Sequence, residues 1–193
     1  MRLFVAVYPG AEPVRHLAGR VAGLRVAAAA ATGSGVRLAD LDQLHVTVAF
    51  LGDIEAARLV DVESALGLAA ERFRDGRHSS PRLSLGGGGR FGQGRLTVLW
   101  VDLRGDVEAR HELAGLVRDR LRRADLPYDG KPFRPHLTVA RPGDRMDLID
   151  VDADRLALDD YRGPEWPATE LVLMRSHLGA GRPRYDRLAG WPL

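Results

Sequence analysis

The stretch HVTVAF at residues 45–50 returns almost unchanged as HLTVAR at residues 136–141. Both stretches embed one His-x-Thr pair in apolar and β-branched residues, a composition that favours β-strands. Because alternate residues of a strand lie on the same face, the His and the Thr of each stretch project together. We therefore predict two strands that each bury an apolar face and present an imidazole and a hydroxyl on the other.

Strict alternation also assigns the neighbours of these pairs. Ala49 shares the face of the first His, where its small side chain leaves room for a substrate, and Phe50 faces the core. In the second strand the same alternation places Arg134 beside the His and turns Arg141 away from it. Arg134 is therefore a candidate for binding substrate on geometry alone, whereas Arg141 needs a bulge or a strand end to reach the same site.

Two imidazoles suit the hydrolysis of a cyclic phosphodiester. Histidine titrates near pH 6.5, so one ring can take a proton from water while the other gives a proton to the departing sugar oxygen. The hydroxyls of Thr47 and Thr138 would donate to the non-bridging oxygens, where charge accumulates in the transition state, and no metal is then required. The likeness of the two stretches leaves open which histidine plays which role.

A metal site built on His45 and His136 is the alternative use of the same residues. Zinc sites in proteins take three or four ligands from side chains. The sequence offers no evident third ligand and no His-x-His pair. We therefore expect no metal ligands and no cofactor.

The composition is that of a single globular domain. The chain has 193 residues, 45% of them apolar, and no cysteine, which excludes disulfides, thiolate metal sites and a cysteine nucleophile. Its 28 basic residues nearly balance its 26 acidic residues, and all the bases except Lys131 are arginines. The planar fork of arginine suits phosphate recognition, although a coding bias is the simpler explanation of this preference.

The apolar run at the start of the chain is too short for a signal peptide and lacks its cleavage site. No other run approaches the roughly 20 apolar residues of a membrane span. We expect a cytoplasmic, monomeric protein that does not bind membranes.

Apolar periodicity predicts strands and helices along the chain. The predicted strands are 1–8, 36–38, 44–51, 82–85 resuming at 90–91, 96–103, 133–141, 169–178 and 184–188. The predicted helices are 13–31, 54–73 and 106–124, with a short helix and irregular chain over 146–161. The glycines at 86–89 lack the Lys-Ser or Lys-Thr of a phosphate loop and predict a mobile hairpin, and residues 179–181 join the last two strands.

This order divides the chain into two loosely similar α+β halves, each with one motif strand. The two motif histidines lie 91 positions apart in the sequence. Only the tertiary structure can therefore bring them together.

The chain resembles the 2H phosphoesterase superfamily, and within it the RNA 2′,3′-cyclic phosphodiesterase family, also called the 2′-5′ RNA ligase family. The resemblance covers nearly the whole chain, and the two His-x-Thr motifs are its most specific part. The matching segments are RLFVAV at 2–7, LHVTVAFLG at 44–52, VLWV at 98–101, FRPHLTVAR at 133–141, LVLMRS at 171–176, and Tyr185.

The resemblance implies that residues 1–193 form one bilobal α+β domain. Two antiparallel sheets would line a central cleft, with the helices packed outside. The two halves would be related by a pseudo-twofold axis.

The resemblance also implies a hydrolase that opens the 2′,3′-cyclic phosphate at the end of RNA or an oligonucleotide to a 2′-phosphate. His45 would be the proton donor to the leaving 3′ oxygen and His136 the proton acceptor from water, with Thr47 and Thr138 binding the substrate. Arg141 occupies the family's position for a basic residue near the phosphate or ribose. Some members also show a reversible 2′-5′ RNA ligase activity.

Two other functions fit these residues. One is an RNA-binding module without turnover, against which the intact His and Thr of both motifs argue. The other is a related enzyme for a small cyclic nucleotide, because substrate size depends on the shape of the cleft. Phe91 would stack a terminal base or pack in the core. The remaining histidines and the tryptophans are expected to be structural or surface residues: His16, His78, His111, His177, Trp100, Trp166 and Trp191.

Overall fold

A computed structural model describes residues 1–177 and 183–193. The strands are β1 (Arg2–Val7), β2 (Arg37–Leu38), β3 (Val46–Asp53), β4 (Arg82–Phe91), β5 (Val98–Gly105), β6 (His136–Arg141), β7 (Trp166–Pro167), β8 (Glu170–His177) and β9 (Arg184–Pro192). The helices are α1 (Ala11–Ala22), α2 (Arg25–Ala31), α3 (Leu59–Arg74), α4 (Val107–Arg123) and α5 (Leu148–Asp159).

The described strands pair antiparallel in the order β7-β4-β5-β6-β3-β1-β8-β9, with β2 beside β6. The strands form two groups in this order, one from β7 to β6 and the other from β3 to β9. The halves share a single residue pair, Val46 with Leu137. The predicted α+β class is confirmed, and the two predicted sheets are joined at this pair into one continuous sheet.

The apolar faces of the motif strands hold them against the helices. Val46 and Leu137 are at most 2% exposed. They belong to the same hydrophobic core as Leu66 of α3 and Val117 of α4. Burial of each such side chain contributes about 1.5–3 kcal/mol to the stability of the fold. This packing of the apolar face fixes the position of the motif residues on the opposite face.

The glycines at 86–89 lie inside β4, so the predicted mobile hairpin is wrong. A Cβ on Gly88 would overlap the backbone carbonyl of Arg155 in α5, and one on Gly89 would overlap the ring of Trp100. The pairing of β4 with β5 also shifts register at this point. The glycines therefore serve close packing, since they let a helix and an indole lie directly against the strand.

Gly88→Ala should lower the free energy of unfolding by about 1–3 kcal/mol, because α5 must move away from β4 to admit the methyl group. Gly115→Ala in α4 is the matched control, since a Cβ there meets no atom within 4 Å. Alanine should stabilise that helix by about 1 kcal/mol. Denaturant unfolding followed by circular dichroism measures both changes, and a G88A protein as stable as the parent would contradict this packing.

The helix predicted over 13–31 is two helices with a break at residues 23–24. The backbone N–H groups of Arg25 and Val26 donate to the carboxylate of Asp154 at 2.9 and 2.8 Å. Asp154 lies in α5 and is 3% exposed. It satisfies the first N–H groups of α2, as a capping residue would, and so fixes where the second helix begins.

The other predicted elements differ from the structure mainly at their ends. The helix predicted from residue 54 begins at Leu59, after a 3-10 turn at Ala56–Arg58. The ambiguous segment 146–161 contains α5. The predicted join at 179–181 lies outside the described residues. Within the described ranges, no helix has the length and apolar character needed to cross a membrane.

Candidate active site

The two motifs meet where β3 and β6 pair. The residue that follows each motif histidine forms the one β3–β6 pair and faces the core. The histidines and the alternate residues therefore face the other side. His45, Thr47, His136 and Thr138 line one cavity of about 560 Å³, which we call the active-site cavity.

The backbone holds the two imidazoles in the same way. The Nδ1 of His45 lies 2.7 Å from the carbonyl oxygen of Gln43, and the Nδ1 of His136 lies 2.7 Å from that of Arg134. A carbonyl oxygen can only accept, so each Nδ1 carries a hydrogen and donates it. The Nε2 of each ring is therefore left for proton transfer.

The first motif strand contains a bulge directly after its Thr. Thr47 opposes Ala6 of β1 and Ala49 opposes Val5, so Val48 is an extra residue between them. A bulge of this kind reverses the alternation of the residues that follow.

The second motif strand contains the same bulge at the same place. Thr138 opposes Trp100 of β5 and Ala140 opposes Leu99, which makes Val139 the extra residue. The two halves of the site thus repeat in backbone geometry as well as in sequence.

The bulges decide which later residues reach the site. Phe50 and Arg141 both line the active-site cavity, whereas Ala49 and Ala140 belong to the core. The prediction that Ala49 opens space beside the histidine and that Phe50 is in the core is wrong for this reason. Arg141 reaches the cavity because of this bulge, as the sequence required for a residue that strict alternation would turn away from His136.

Aromatic rings surround the imidazole of His45. Its ring centroid lies 4.9 Å from that of Phe4, 5.3 Å from that of Tyr185 and 5.7 Å from that of Tyr8. These rings exclude water from the imidazole and limit its rotation.

The imidazole of His136 has a smaller aromatic neighbourhood. Its centroid lies 4.9 Å from that of Phe91 and 5.9 Å from that of Trp100. Trp100 is half-buried, and its indole packs against Gly89 as well as lying near His136. Stacking of a terminal base on Phe91 stays a prediction.

Burial lowers the pKa of both histidines from the ordinary value of about 6.5. Loss of hydration is the main cause for His45, and the nearby positive charges of His136 and Arg141 add to it. For His136 burial again has the largest effect and Arg141 lowers the pKa further, while the Asp102 carboxylate acts in the opposite direction. A bound anion would favour the protonated form of either ring.

Asp102 is the main electrostatic difference between the two histidines. It lies directly opposite His136 in the β5–β6 ladder, where opposed side chains share a face. A neutral phenol, Tyr8, lies beside His45, and burial raises the pKa of Tyr8 to about 12. A carboxylate therefore supports a positive charge on His136 and not on His45.

The structure separates the two sequence-predicted arginines. Arg141 lines the active-site cavity. The Arg134 side chain is exposed, and it is the backbone carbonyl of Arg134 that contacts the site, where it accepts the hydrogen bond from His136. Binding of substrate by the Arg134 side chain stays a prediction.

Arg2, Arg37 and His177 are among the cavity residues that the sequence did not assign to the site. Each lies at the end of a strand or in a two-residue strand, where no repeated motif marks it. His177 was expected to be structural, and its Nε2–H donates to the carboxylate of Asp186 at 2.6 Å. Among the described residues, no group of three or more His, Cys, Asp or Glu side chains is arranged to hold a metal ion.

A family model of the 2′-5′ RNA ligase superfamily matches residues 13–180. The chain belongs to this superfamily. Among curated members, the RNA 2′,3′-cyclic phosphodiesterase of Escherichia coli (strain K12) is 31% identical over 154 residues, which cover 79% of this chain and 77% of that protein. The protein of the same name from Archaeoglobus fulgidus is 30% identical over 145 residues, covering 73% and 72%.

A solved structure of the superfamily has the same fold. Escherichia coli LigT in complex with NADP+ matches with a TM-score of 0.70 and 28% identity, over 100% of this chain and 97% of LigT. The family predicted from the motifs is confirmed, and so is the prediction of a hydrolase.

Proposed function

We propose that this superfamily member hydrolyses the 2′,3′-cyclic phosphate at the end of RNA or an oligonucleotide and leaves a 2′-phosphate. The observation that carries the proposal is the meeting of two His-Thr pairs and Arg141 in one cavity. Two relatives bear the name RNA 2′,3′-cyclic phosphodiesterase. LigT binds NADP+ in its solved complex, and NADP+ carries a ribose 2′-phosphate like that of the proposed product.

The cyclic phosphate lies between the two motifs in this proposal. The hydroxyls of Thr47 and Thr138 donate to its non-bridging oxygens. The guanidinium of Arg141 neutralises the same oxygens, on which charge increases in the transition state. These donors are fixed in advance by the strands, so little reorganisation is needed during the reaction.

In the chemical step, the oxygen of a water molecule attacks phosphorus as the P–O3′ bond breaks. Nε2 of His136 takes a proton from that water, and the protonated Nε2 of His45 gives a proton to O3′. The products are a 2′-phosphate monoester and a 3′-hydroxyl. The two rings have then exchanged protonation states, and exchange with solvent restores them.

The assignment of the two histidines follows the family resemblance, and the surrounding charges support it. His136 gains a positive charge as it accepts a proton, and Asp102 stabilises that charge. Arg141 lowers the pKa of both rings, so it does not distinguish them. The carboxylate beside His136, with no counterpart among the charges that act on His45, is the feature that supports the assignment.

Ligation would use the same residues. If the 5′-hydroxyl of a second RNA replaces water, the same displacement forms a 2′-5′ phosphodiester and releases O3′. His136 then takes its proton from the hydroxyl. A reversible 2′-5′ RNA ligase activity is the expected companion of the hydrolysis.

The pH dependence of kcat/KM should be a bell centred below pH 6.5. The reaction needs one ring protonated and the other neutral. The pH dependence of kcat/KM reports the pKa values of the free protein, in which burial lowers the pKa of both rings. A bound phosphodiester raises the pKa of the protonated ring, so the bell for kcat should lie at higher pH. Steady-state rates on an RNA with a 2′,3′-cyclic phosphate measure both curves.

The same assay tests whether a metal takes part. Full activity is expected after incubation with a chelator, because the two histidines supply both proton transfers. Activity that is lost in chelator and restored by zinc would contradict the proposal. So would a kcat/KM bell centred well above the ordinary histidine pKa.

A further inference from the structure

A second cavity continues from the active-site cavity along β2 and β6. Its volume is about 590 Å³, and it shares Arg37 and Arg141 with the active-site cavity. We call it the basic groove and define it by six of its lining residues: Arg37, Arg95, Leu96, Arg141, Asp144 and Arg145.

The basic groove has a surplus of positive charge. Among the residues that the structure describes, four arginines line it and Asp144 is the one acid. Asp144 pairs with Arg95 at 3.0 Å and with Arg145 at 3.4 Å. Asp144 therefore pairs with two of these arginines, and the other two, Arg37 and Arg141, lie at the end that adjoins the active-site cavity. Grooves of this kind follow the backbone of a single-stranded nucleic acid.

Arg37 and Arg141 lie directly opposite each other in the β2–β6 ladder. Like charges at opposed positions of an antiparallel pair are destabilising. Within residues 1–177 and 183–193, no carboxylate lies within 4.0 Å of the Arg37 guanidinium. An anion between the two guanidinium groups would accept hydrogen bonds from both and relieve their repulsion.

The wall of the basic groove also offers an apolar surface. Leu96 lies on it and is 77% exposed. A nucleotide base could pack on this side chain while its phosphates contact the arginines.

We infer that Arg37 binds the phosphodiester on the 5′ side of the terminal nucleotide, and that the basic groove holds the nucleotide before it. The preferred substrate is then an oligonucleotide and not a cyclic mononucleotide. This inference rests on the proposed function, because it extends the same site. A cyclic mononucleotide has no such phosphodiester and would leave Arg37 without an anion.

Arg37→Gln tests the inference with two substrates, adenosine 2′,3′-cyclic phosphate and a four-nucleotide RNA that ends in the same group. The ratio of kcat/KM for the RNA to kcat/KM for the mononucleotide should fall about tenfold, mainly through KM for the RNA, since the contact is the same in ground and transition states. Arg15→Gln is the matched control, because Arg15 is exposed on α1 outside both cavities. Its ratio should equal that of the parent.

Binding provides a readout that does not depend on turnover. The probe is a fluorescent four-nucleotide RNA that ends in a 2′-phosphate, titrated at several salt concentrations. Loss of one phosphate contact in R37Q should reduce the slope of log K against log salt by about 0.7, and R15Q should not change it.

The two assays distinguish failure of the inference from failure of the proposed function. A parent protein that hydrolyses both substrates, with an R37Q variant whose ratio and salt slope match the parent, overturns the inference alone. A parent that hydrolyses neither substrate overturns the proposed function. In that case an unchanged salt slope in R37Q overturns the groove as well, whereas a reduced slope supports it as an RNA-binding surface.

Discussion

His45→Ala and His136→Ala should each reduce kcat/KM for an RNA 2′,3′-cyclic phosphate by about three orders of magnitude. Each variant removes one of the two proton transfers in the proposed step. His177 also lines the cavity, but its ring is held by Asp186 at 2.6 Å and does not replace the lost group. Initial rates at subsaturating substrate measure the loss.

His78→Ala is the matched control for both variants, because His78 is exposed in a loop. Its kcat/KM should equal that of the parent protein. Circular dichroism and denaturant unfolding show whether each variant folds. A folded H45A or H136A protein that keeps most of the parent activity would contradict acid–base catalysis by this pair.

Arg141→Gln should cause the next largest loss, about 100-fold in kcat/KM. The guanidinium lines the cavity and interacts electrostatically with both histidines. Because we propose that it contacts oxygens on which charge grows during the reaction, the loss should fall mainly on kcat. Steady-state kinetics separates kcat from KM.

Arg141→Lys and Arg134→Gln sharpen the interpretation of that loss. The lysine variant keeps the charge without the planar fork, so its activity should lie between those of the parent and R141Q. The Arg134 side chain is exposed outside the cavity lining, so R134Q should lose much less activity than R141Q. Equal losses in R134Q and R141Q would contradict the proposed contact between Arg141 and the phosphate.

The central pair of motifs could be predicted from the sequence because the residues from each His to its Thr alternate strictly between polar and apolar. One apolar residue, Val46, lies between His45 and Thr47 and must be buried. Its burial determines that His45 and Thr47 project from the opposite face of the strand. The same rule fails two residues later, because Val48 reads like any other strand residue and nothing local marks it as the extra residue of a bulge. The positions of Phe50 and Arg141 therefore depended on pairing with other strands.

Contacts between distant parts of the chain account for the other errors. The break after α1 is set by the Asp154 carboxylate, which is 129 positions away from Arg25 in the sequence. The glycines of β4 lie in a strand because Arg155 and Trp100 pack against them. The local sequence does not show this, since a loop and a tightly packed strand can have the same composition. No motif marked Arg37, since its position beside the cavity depends on the pairing of β2 with β6.

The phosphate isomer in the product shows which oxygen leaves during the reaction. A short RNA with a 2′,3′-cyclic phosphate end is incubated with the protein, and the product is compared by phosphorus NMR with authentic 2′- and 3′-phosphates. We predict the 2′-phosphate alone, because O3′ leaves with a proton from His45 while His136 accepts a proton from water. A 3′-phosphate product, or no opening of the ring, would contradict the roles proposed for His45 and His136.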